Sequence, residues 1–156
     1  MDSYRRYGPA LLRKARRLLR NEDDALDAVQ ALFLDLLQRP EPEQFELPWL
    51  YRALTHRCLN MMRDRRTRSR LLARESPALA YPARIAPDVQ ALGLDVLCKL
   101  ADRVEESVME TLIYRFFDEL GLEEIATVMS VSRKTVQNRL TRATEAMRAL
   151  APEVQS

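Results

Sequence analysis

The stretch "LEEIATVMSVSRKTVQNRLTRATEAMR", from Leu122 to Arg148, decides the fold of this chain. Apolar residues recur in both of its halves at spacings of three and four, which is typical of one face of an α-helix. A short turn at Ser130-Val131 separates the halves, and Ser132 is a good N-cap for the second helix. With the small Ala126 in the first helix, this pattern predicts a helix-turn-helix.

The outer face of the second helix carries amide, hydroxyl and cationic groups, which suit base edges and phosphates in a DNA major groove. We predict six DNA-binding residues in this half of the chain: Arg133, Lys134, Gln137, Asn138, Thr141 and Arg142. Arg139 and Arg148 flank them and suit phosphates. The alternative is an amphipathic surface helix of a larger bundle. Ser130 stands where the motif commonly has Gly, and a left-handed backbone there would cost a fraction of about 1 kcal/mol.

The composition indicates a helical, cytoplasmic protein. The 156 residues are 47% hydrophobic and 31% charged, with only three Gly, which favours packed helices. No apolar run approaches the ~18 residues of a membrane span, and the N-terminus lacks the apolar core of a signal peptide. The two cysteines, Cys58 and Cys98, suggest no disulfide framework. The sequence also has no Gly-rich phosphate loop, nucleophilic triad or metal cluster, so we expect neither an enzyme nor a cofactor.

The formal net charge of +2 hides an uneven distribution of charge. The segment from Trp49 to Arg70 has seven Arg and one Asp, and the segment from Arg133 to Arg148 has five basic residues and one Glu. Two separate basic stretches are typical of a protein that binds a polyanion at two places. Two solvated helix faces would give the same pattern.

Three helices are predicted in the first half of the chain. The first begins at Pro9 and ends near Asn21, and the third begins near Pro48. The second begins around Asp23 or Asp24, because acidic residues suit a helix N-terminus. The second helix has an inward apolar stripe, which comprises Leu26, Val29, Leu32, Phe33 and Leu36.

Prolines then mark a break between two parts of the chain. Pro77, Pro82 and Pro87 recur every five residues, which predicts an extended, flexible linker at 73–89. We therefore predict an all-α fold with two small helical domains, at 1–72 and 90–150.

The third helix separates a core face from a polar face. Its predicted core residues are Leu50, Leu54, Cys58 and Met61. A narrow arc on the other side carries the predicted DNA-binding residues of this half: Trp49, Arg52, His56, Asn60 and Arg63. An aromatic ring beside cations and amides is typical of proteins that stack and hold single-stranded nucleic acid. Core packing of Trp49 and a solvated His56 remain open as alternatives, whereas a lone His makes a metal site a poor interpretation.

The second helix has an unusual outer face. Asp27, Gln30 and Leu34 lie away from its apolar stripe, and Leu34 is large and apolar. We predict a protein docking surface at these three residues. A single exposed Leu is nevertheless common on protein surfaces, so the simpler interpretation stays open.

Three segments together resemble the extracytoplasmic-function group of bacterial RNA polymerase sigma factors. They are "DDALDAVQALFLDLLQRP" (23–40), "WLYRALTHRCLNMMRDRRTR" (49–68) and the stretch quoted first, and the likeness covers nearly the whole chain. It implies that the first domain (region 2) binds the clamp helices of core RNA polymerase and melts the −10 element of promoter DNA. It also implies that the second domain (region 4) reads the −35 element and touches the polymerase flap. The resemblance leaves open whether an anti-sigma factor is a further partner.

The resemblance also extends to single residues. By this likeness, the polymerase-binding motif is matched by Asp27, Val29, Gln30 and Phe33, and the −10 segment by Trp49, Arg52, His56 and Asn60. Leu26 and Ala31 stand where acidic residues are usual, and His56 and Asn60 where Asn and Asp are usual. These departures bear on the expected clamp contacts and on the base preference at the −10 element, and not on the resemblance to this class of protein. A stand-alone helix-turn-helix regulator, which would normally dimerise on a symmetric site, is the alternative.

Overall fold

The computed structural model describes residues 2–39, 46–75 and 96–154, and every regular element in these ranges is a helix. The prediction of an all-α fold is therefore confirmed. The helices, in chain order, are α1 (Asp2–Leu19), α2 (Glu22–Leu37), α3 (Leu47–Glu75), α4 (96–101), α5 (Glu106–Phe116), α6 (Leu122–Met129) and α7 (Arg133–Val154). Within the described ranges, no helix is long and apolar enough to cross a membrane.

Helix α1 begins earlier than the sequence predicts. Pro9 lies inside the helix instead of opening it, although its missing N–H removes one bond of the helix ladder. The first turns are held by packing, because the ring of Tyr4 meets Phe33 of α2 edge-on at 4.9 Å between centroids. The prediction of a start at Pro9 was wrong because tertiary contact outweighs the local preference of proline.

Helix α2 begins at Glu22, one or two residues before the predicted start at Asp23 or Asp24. The side chain of Asn21 caps it by accepting a hydrogen bond of 3.0 Å from the backbone N–H of Asp24. Leu26 was predicted to lie in the apolar stripe, but it is exposed, and Ala25 and Ala28 are buried in its place. The small side chains of Ala25 and Ala28 belong to the core cluster that α2 shares with the neighbouring helices.

The predicted helix-turn-helix is formed by α6 and α7. Ser130 ends α6 in the left-handed conformation, with φ of 54° and ψ of 45°. The Ser132 hydroxyl accepts a hydrogen bond of 3.1 Å from the backbone N–H of Thr135, which confirms the predicted N-cap of α7. Ile125, Met129 and Val136 form the small core between the two helices, together with Tyr114 of α5.

Replacing Ser130 by Gly should stabilise the protein by up to about 1 kcal/mol. Glycine adopts a positive φ without the steric penalty of a Cβ atom. In thermal unfolding, the Tm should therefore rise by about 2–4 °C. Ser130→Ala is the matched control, because it keeps the Cβ atom. An equal rise with Ala would show that the serine hydroxyl, and not the backbone, limits stability.

The two predicted domains share one hydrophobic core. Leu54 and Leu59 of α3 belong to the same buried cluster as Leu100 of α4 and Leu112 of α5. Tyr51 of α3 also packs against the core of the helix-turn-helix. The predicted linker at 73–89 lies outside the described residues, apart from its first three positions at the end of α3. The domain boundaries therefore stay a prediction.

Candidate nucleic-acid interface

Helix α3 divides its residues between a core and a polar face much as the sequence indicates. Leu50, Leu54 and Cys58 are fully buried. Met61 is only half-buried, and Met62 occupies the core instead, so that part of the prediction was wrong by one position. Burial raises the pKa of the Cys58 thiol to about 12, so this cysteine stays protonated.

The polar face of α3 borders an open cleft of about 440 Å³ between α2 and α3. Three of the predicted DNA-binding residues line it: Trp49, His56 and Asn60. Trp49 is 38% exposed, and the guanidinium of Arg39 lies 5.0 Å from its ring centroid, within cation–π range. A flat ring beside a cation, with an exposed amide close by, offers a place to stack one base and hold its backbone.

Sequence reasoning missed two cations of this cleft, Arg39 and Arg57. Arg57 forms an ion pair with Asp35 of α2, and its Nε atom is buried without a hydrogen-bond partner among the described residues. Both arginines reach the cleft only because α2 and α3 pack side by side. In the sequence, only the basic composition of the third helix indicated that Arg57 could take part in the site.

Arg52 and His56 have acidic partners in the second half of the chain. The Nε atom of Arg52 donates a hydrogen bond of 3.0 Å to Glu110, and Nε2 of His56 lies 3.0 Å from the same carboxylate. The other ring nitrogen of His56 lies 2.8 Å from Glu106. His56 therefore has two carboxylate neighbours. Neither the predicted contact with DNA nor the alternative of a solvated side chain had included them.

Arg63 lies outside the cleft. It is half-buried and borders a small gap between α3 and α4, beside Leu97 and Cys98. The structure therefore brings together Trp49, His56 and Asn60, with Arg52 one turn of helix from His56, and leaves Arg63 apart from them.

The predicted docking surface on α2 is exposed. Asp27, Gln30 and Leu34 all face solvent, and Leu34 is 57% exposed. Leu37, one turn further along, is 69% exposed and extends the apolar part of this surface. Sequence reasoning missed Leu37, although its spacing of three from Leu34 was a usable signal.

Two other residues of the polymerase-binding motif serve the fold here. Val29 is buried in the core, and Phe33 is partly buried against Tyr4. These two side chains hold α2 against α1. The polar side chains of α2, with Leu34 and Leu37, form its outer surface.

All six predicted DNA-binding residues of α7 are exposed on one side of the helix. The Thr141 hydroxyl donates a hydrogen bond of 3.0 Å to the backbone carbonyl of Gln137. Arg133 lies 3.5 Å from Glu123, and Arg142 lies 3.9 Å from Glu105. Ion pairs this exposed contribute little to stability, so these cations are readily available to a phosphate. Among the residues described, no cluster of His, Cys, Asp and Glu could hold a metal ion.

The comparisons with known proteins agree with this arrangement. Residues 3–68 match the family Sigma-70 region 2, and residues 100–147 match Sigma-70, region 4. The chain belongs to the extracytoplasmic-function group of sigma factors. RNA polymerase sigma factor SigV of Bacillus subtilis is 29% identical to this sigma factor over 134 residues, which cover 83% of this chain and 77% of SigV. RNA polymerase sigma factor CarQ of Myxococcus xanthus is 27% identical over 160 residues, which cover 99% and 90% of the two chains.

A solved structure of sigma factor RpoE from Bartonella quintana, in complex with the anti-sigma factor NepR, is also similar to this sigma factor. Its TM-score is 0.48 at 22% identity, covering 91% of this chain and 89% of that one. As a sigma factor, the protein directs promoter-specific initiation as a subunit of RNA polymerase and carries no catalysis of its own. Its partners are core polymerase and promoter DNA. The stand-alone regulator is not favoured, because the first half of the chain matches region 2.

Proposed function

We propose that the cleft between α2 and α3 captures an unstacked base of the −10 element. The carrying observation is the half-exposed Trp49 ring, which lies beside Arg39 and opens into a cleft that Asn60 and His56 also line. A volume of about 440 Å³ falls in the ~300–1,000 Å³ range of small-molecule sites, so one nucleobase fits. Arg52, one turn of helix from His56, and Arg63, which lies further along α3 and outside the cleft, are the proposed phosphate contacts of the melted strand.

The exposed face of α2 is the proposed contact with core polymerase. Asp27 and Gln30 supply polar contacts, and Leu34 with Leu37 supplies an apolar centre. An apolar centre with a polar rim is the usual anatomy of a protein–protein interface.

Leu34→Glu should leave folding within about ±0.5 kcal/mol, because Leu34 is exposed. It should also weaken the binding of core polymerase, because a charge then enters the apolar centre of the interface. The measurement is co-elution with core polymerase in size-exclusion chromatography. Leu71→Glu, at a leucine of α3 that is 52% exposed, is the matched control. Normal binding by a folded Leu34→Glu protein would exclude Leu34 from the interface.

Helix α7 is the proposed reader of the −35 element. Gln137 and Asn138 suit adenine edges, and Lys134 or Arg133 suits guanine, because these groups match the donors and acceptors of the major groove. Arg142 and Thr141 lie further along the exposed face of the helix, where phosphate contacts position the helix without specifying bases.

Lys134→Ala or Asn138→Ala should cost about 1–3 kcal/mol on the cognate −35 element and relax preference at one or two base pairs. Arg142→Ala is the control, because loss of a phosphate contact should weaken binding to all sequences alike. The measurement is the selection of a −35 library by holoenzyme that carries each variant. Unchanged base preferences for both Lys134→Ala and Asn138→Ala would contradict the assignment of α7.

We further propose two small domains, 1–72 and 90–150, joined by a linker at 73–89. The family matches to residues 3–68 and 100–147 support these limits. A cytoplasmic location is proposed as well, because core polymerase and promoter DNA are both found there.

A further inference from the structure

Helix α1 carries a third basic surface, besides those of α3 and α7. From Arg5 to Arg20 the sequence has six Arg, one Lys and no acidic residue. Asp2, in the first turn, is the acidic residue of the helix. Lys14 is buried, whereas the arginines within α1 are all exposed. They lie in an arc of about 120° opposite the core residues of α1, and we call this arc the arginine face: Arg5, Arg6, Arg13, Arg16 and Arg17.

The fold does not account for the charge of the arginine face. Ion pairs neutralise two of its five members, because Arg16 pairs with Glu22 and Arg17 pairs with Asp118. The other three have no acidic partner among the described residues. Arg13 lies three positions from Arg16 and four from Arg17, a spacing at which like charges on a helix repel each other. The unpaired charge therefore makes α1 less stable, which argues for a ligand outside the chain.

The composition of the arginine face favours phosphate over a protein or a lipid surface. Pro9 is the one exposed apolar residue within the arc, so the face lacks the apolar centre of a protein–protein interface. A helix that binds a membrane surface inserts its apolar side, but the apolar side of α1 is buried in the core with Leu11, Ala15 and Leu18. All five cations are Arg, whose planar fork of donors binds phosphate oxygens in pairs.

The dimensions of the arginine face also suit a DNA backbone. From Arg5 to Arg17 it extends about 18 Å along the helix axis. Duplex DNA carries one phosphate charge per ~1.7 Å of its axis, so several phosphates lie within reach of the face. The residues of the arc, all of which are described, include no aromatic ring on which a base could stack. The face can therefore hold a backbone but has no means of reading a sequence.

We propose that the arginine face of α1 is a third DNA contact of this sigma factor, which binds the phosphates of duplex DNA without regard to sequence. Promoter DNA is already a partner of the protein. A contact with phosphates raises the affinity for DNA and the rate of encounter, while base preference is left to the other contacts. The proposal does not depend on the assignment of α3 to the −10 element or of α7 to the −35 element.

The double variant Arg6→Gln/Arg13→Gln tests this contact in the whole chain. Both residues are exposed and lack an acidic partner among the described residues, so the substitutions break no ion pair of the fold. Binding of the free sigma factor to a fluorescein-labelled duplex of mixed sequence is followed by fluorescence anisotropy over a series of KCl concentrations. Each lost phosphate contact lowers the slope of log K against log[KCl] by about 0.9, so the slope should flatten by up to about 1.8. The Tm should not fall, because a repulsion between like charges is removed.

Two further variants separate the arginine face from general effects of charge and packing. Arg115→Gln removes an exposed arginine of α5, outside the arginine face, and should keep the wild-type slope. Arg6→Lys/Arg13→Lys keeps both charges and should retain most of the slope that Arg6→Gln/Arg13→Gln loses.

An unchanged slope for Arg6→Gln/Arg13→Gln would overturn the proposal. If the slope is unchanged and this variant instead fails to co-elute with core polymerase, the arginine face binds an acidic protein surface, and the DNA contact is wrong. A loss of slope as large in Arg115→Gln as in the double variant would also overturn it, because any exposed arginine would then have the same effect.

Discussion

Replacing Asp118 by Ala is expected to lower the free energy of unfolding by about 3–5 kcal/mol, because it leaves the buried charge of Lys14 without a partner. The side chain of Lys14 is 0% exposed, and that of Asp118 is 2% exposed. The ammonium lies between the rings of Tyr51 and Tyr114, at 4.5 and 4.6 Å from their centroids. Burial lowers the pKa of Lys14, and the carboxylate of Asp118 opposes this shift. Urea unfolding followed by circular dichroism measures the loss.

Lys14→Met separates the charge from the packing. Methionine fills a similar volume, and Asp118 keeps Arg17 as a partner at 3.2 Å, so this variant should lose less than Asp118→Ala. The double variant should regain most of what Asp118→Ala loses, because no unpaired charge is then buried. If the losses of unfolding free energy in the two single variants simply add in the double variant, Lys14 and Asp118 are not a coupled pair.

Trp49→Ala should reduce promoter opening by about 5- to 160-fold, which corresponds to the 1–3 kcal/mol that one base–aromatic stack contributes. Its effect on stability should stay well below the ~3–5 kcal/mol of a buried Trp, because the side chain is 38% exposed. Promoter opening by the reconstituted holoenzyme and thermal unfolding of the free protein are the two measurements.

Trp49→Phe is the matched control, because phenylalanine keeps a ring that stacks. It should retain most of the promoter opening that Trp49→Ala loses. Equal losses for the two variants would argue against stacking. Unfolding of Trp49→Ala at ordinary temperature would show that the ring supports the fold instead.

Local pattern predicted the elements of this sigma factor well where the deciding interactions are local. The cap at Ser132 and the left-handed turn at Ser130 depend on residues within three or four positions, so they could be predicted from the sequence. The exposure of Leu34 follows from helical periodicity in the same way. The start of α1 could not be predicted, because Tyr4 is held by Phe33, a residue far along the chain.

The candidate site shows the same division. Sequence alone identified Trp49, Arg52, His56 and Asn60 as one arc of α3, and their assignment to DNA remains a proposal. Arg39 lies beside the Trp49 ring only because α2 packs on α3, so the sequence could not predict this contact.

By itself, the sequence determined that this chain is helical, carries a helix-turn-helix and has two basic stretches. The tertiary structure alone decided what one of those stretches meets. Arg52 is separated from Glu110 by 58 positions, and Lys14 from Asp118 by 104. Helical periodicity relates residues only three or four positions apart, so it carries no information on such pairs. Their contacts arise when burial of a shared apolar core brings the two halves together, and the charges at its edge then pair or remain unsatisfied.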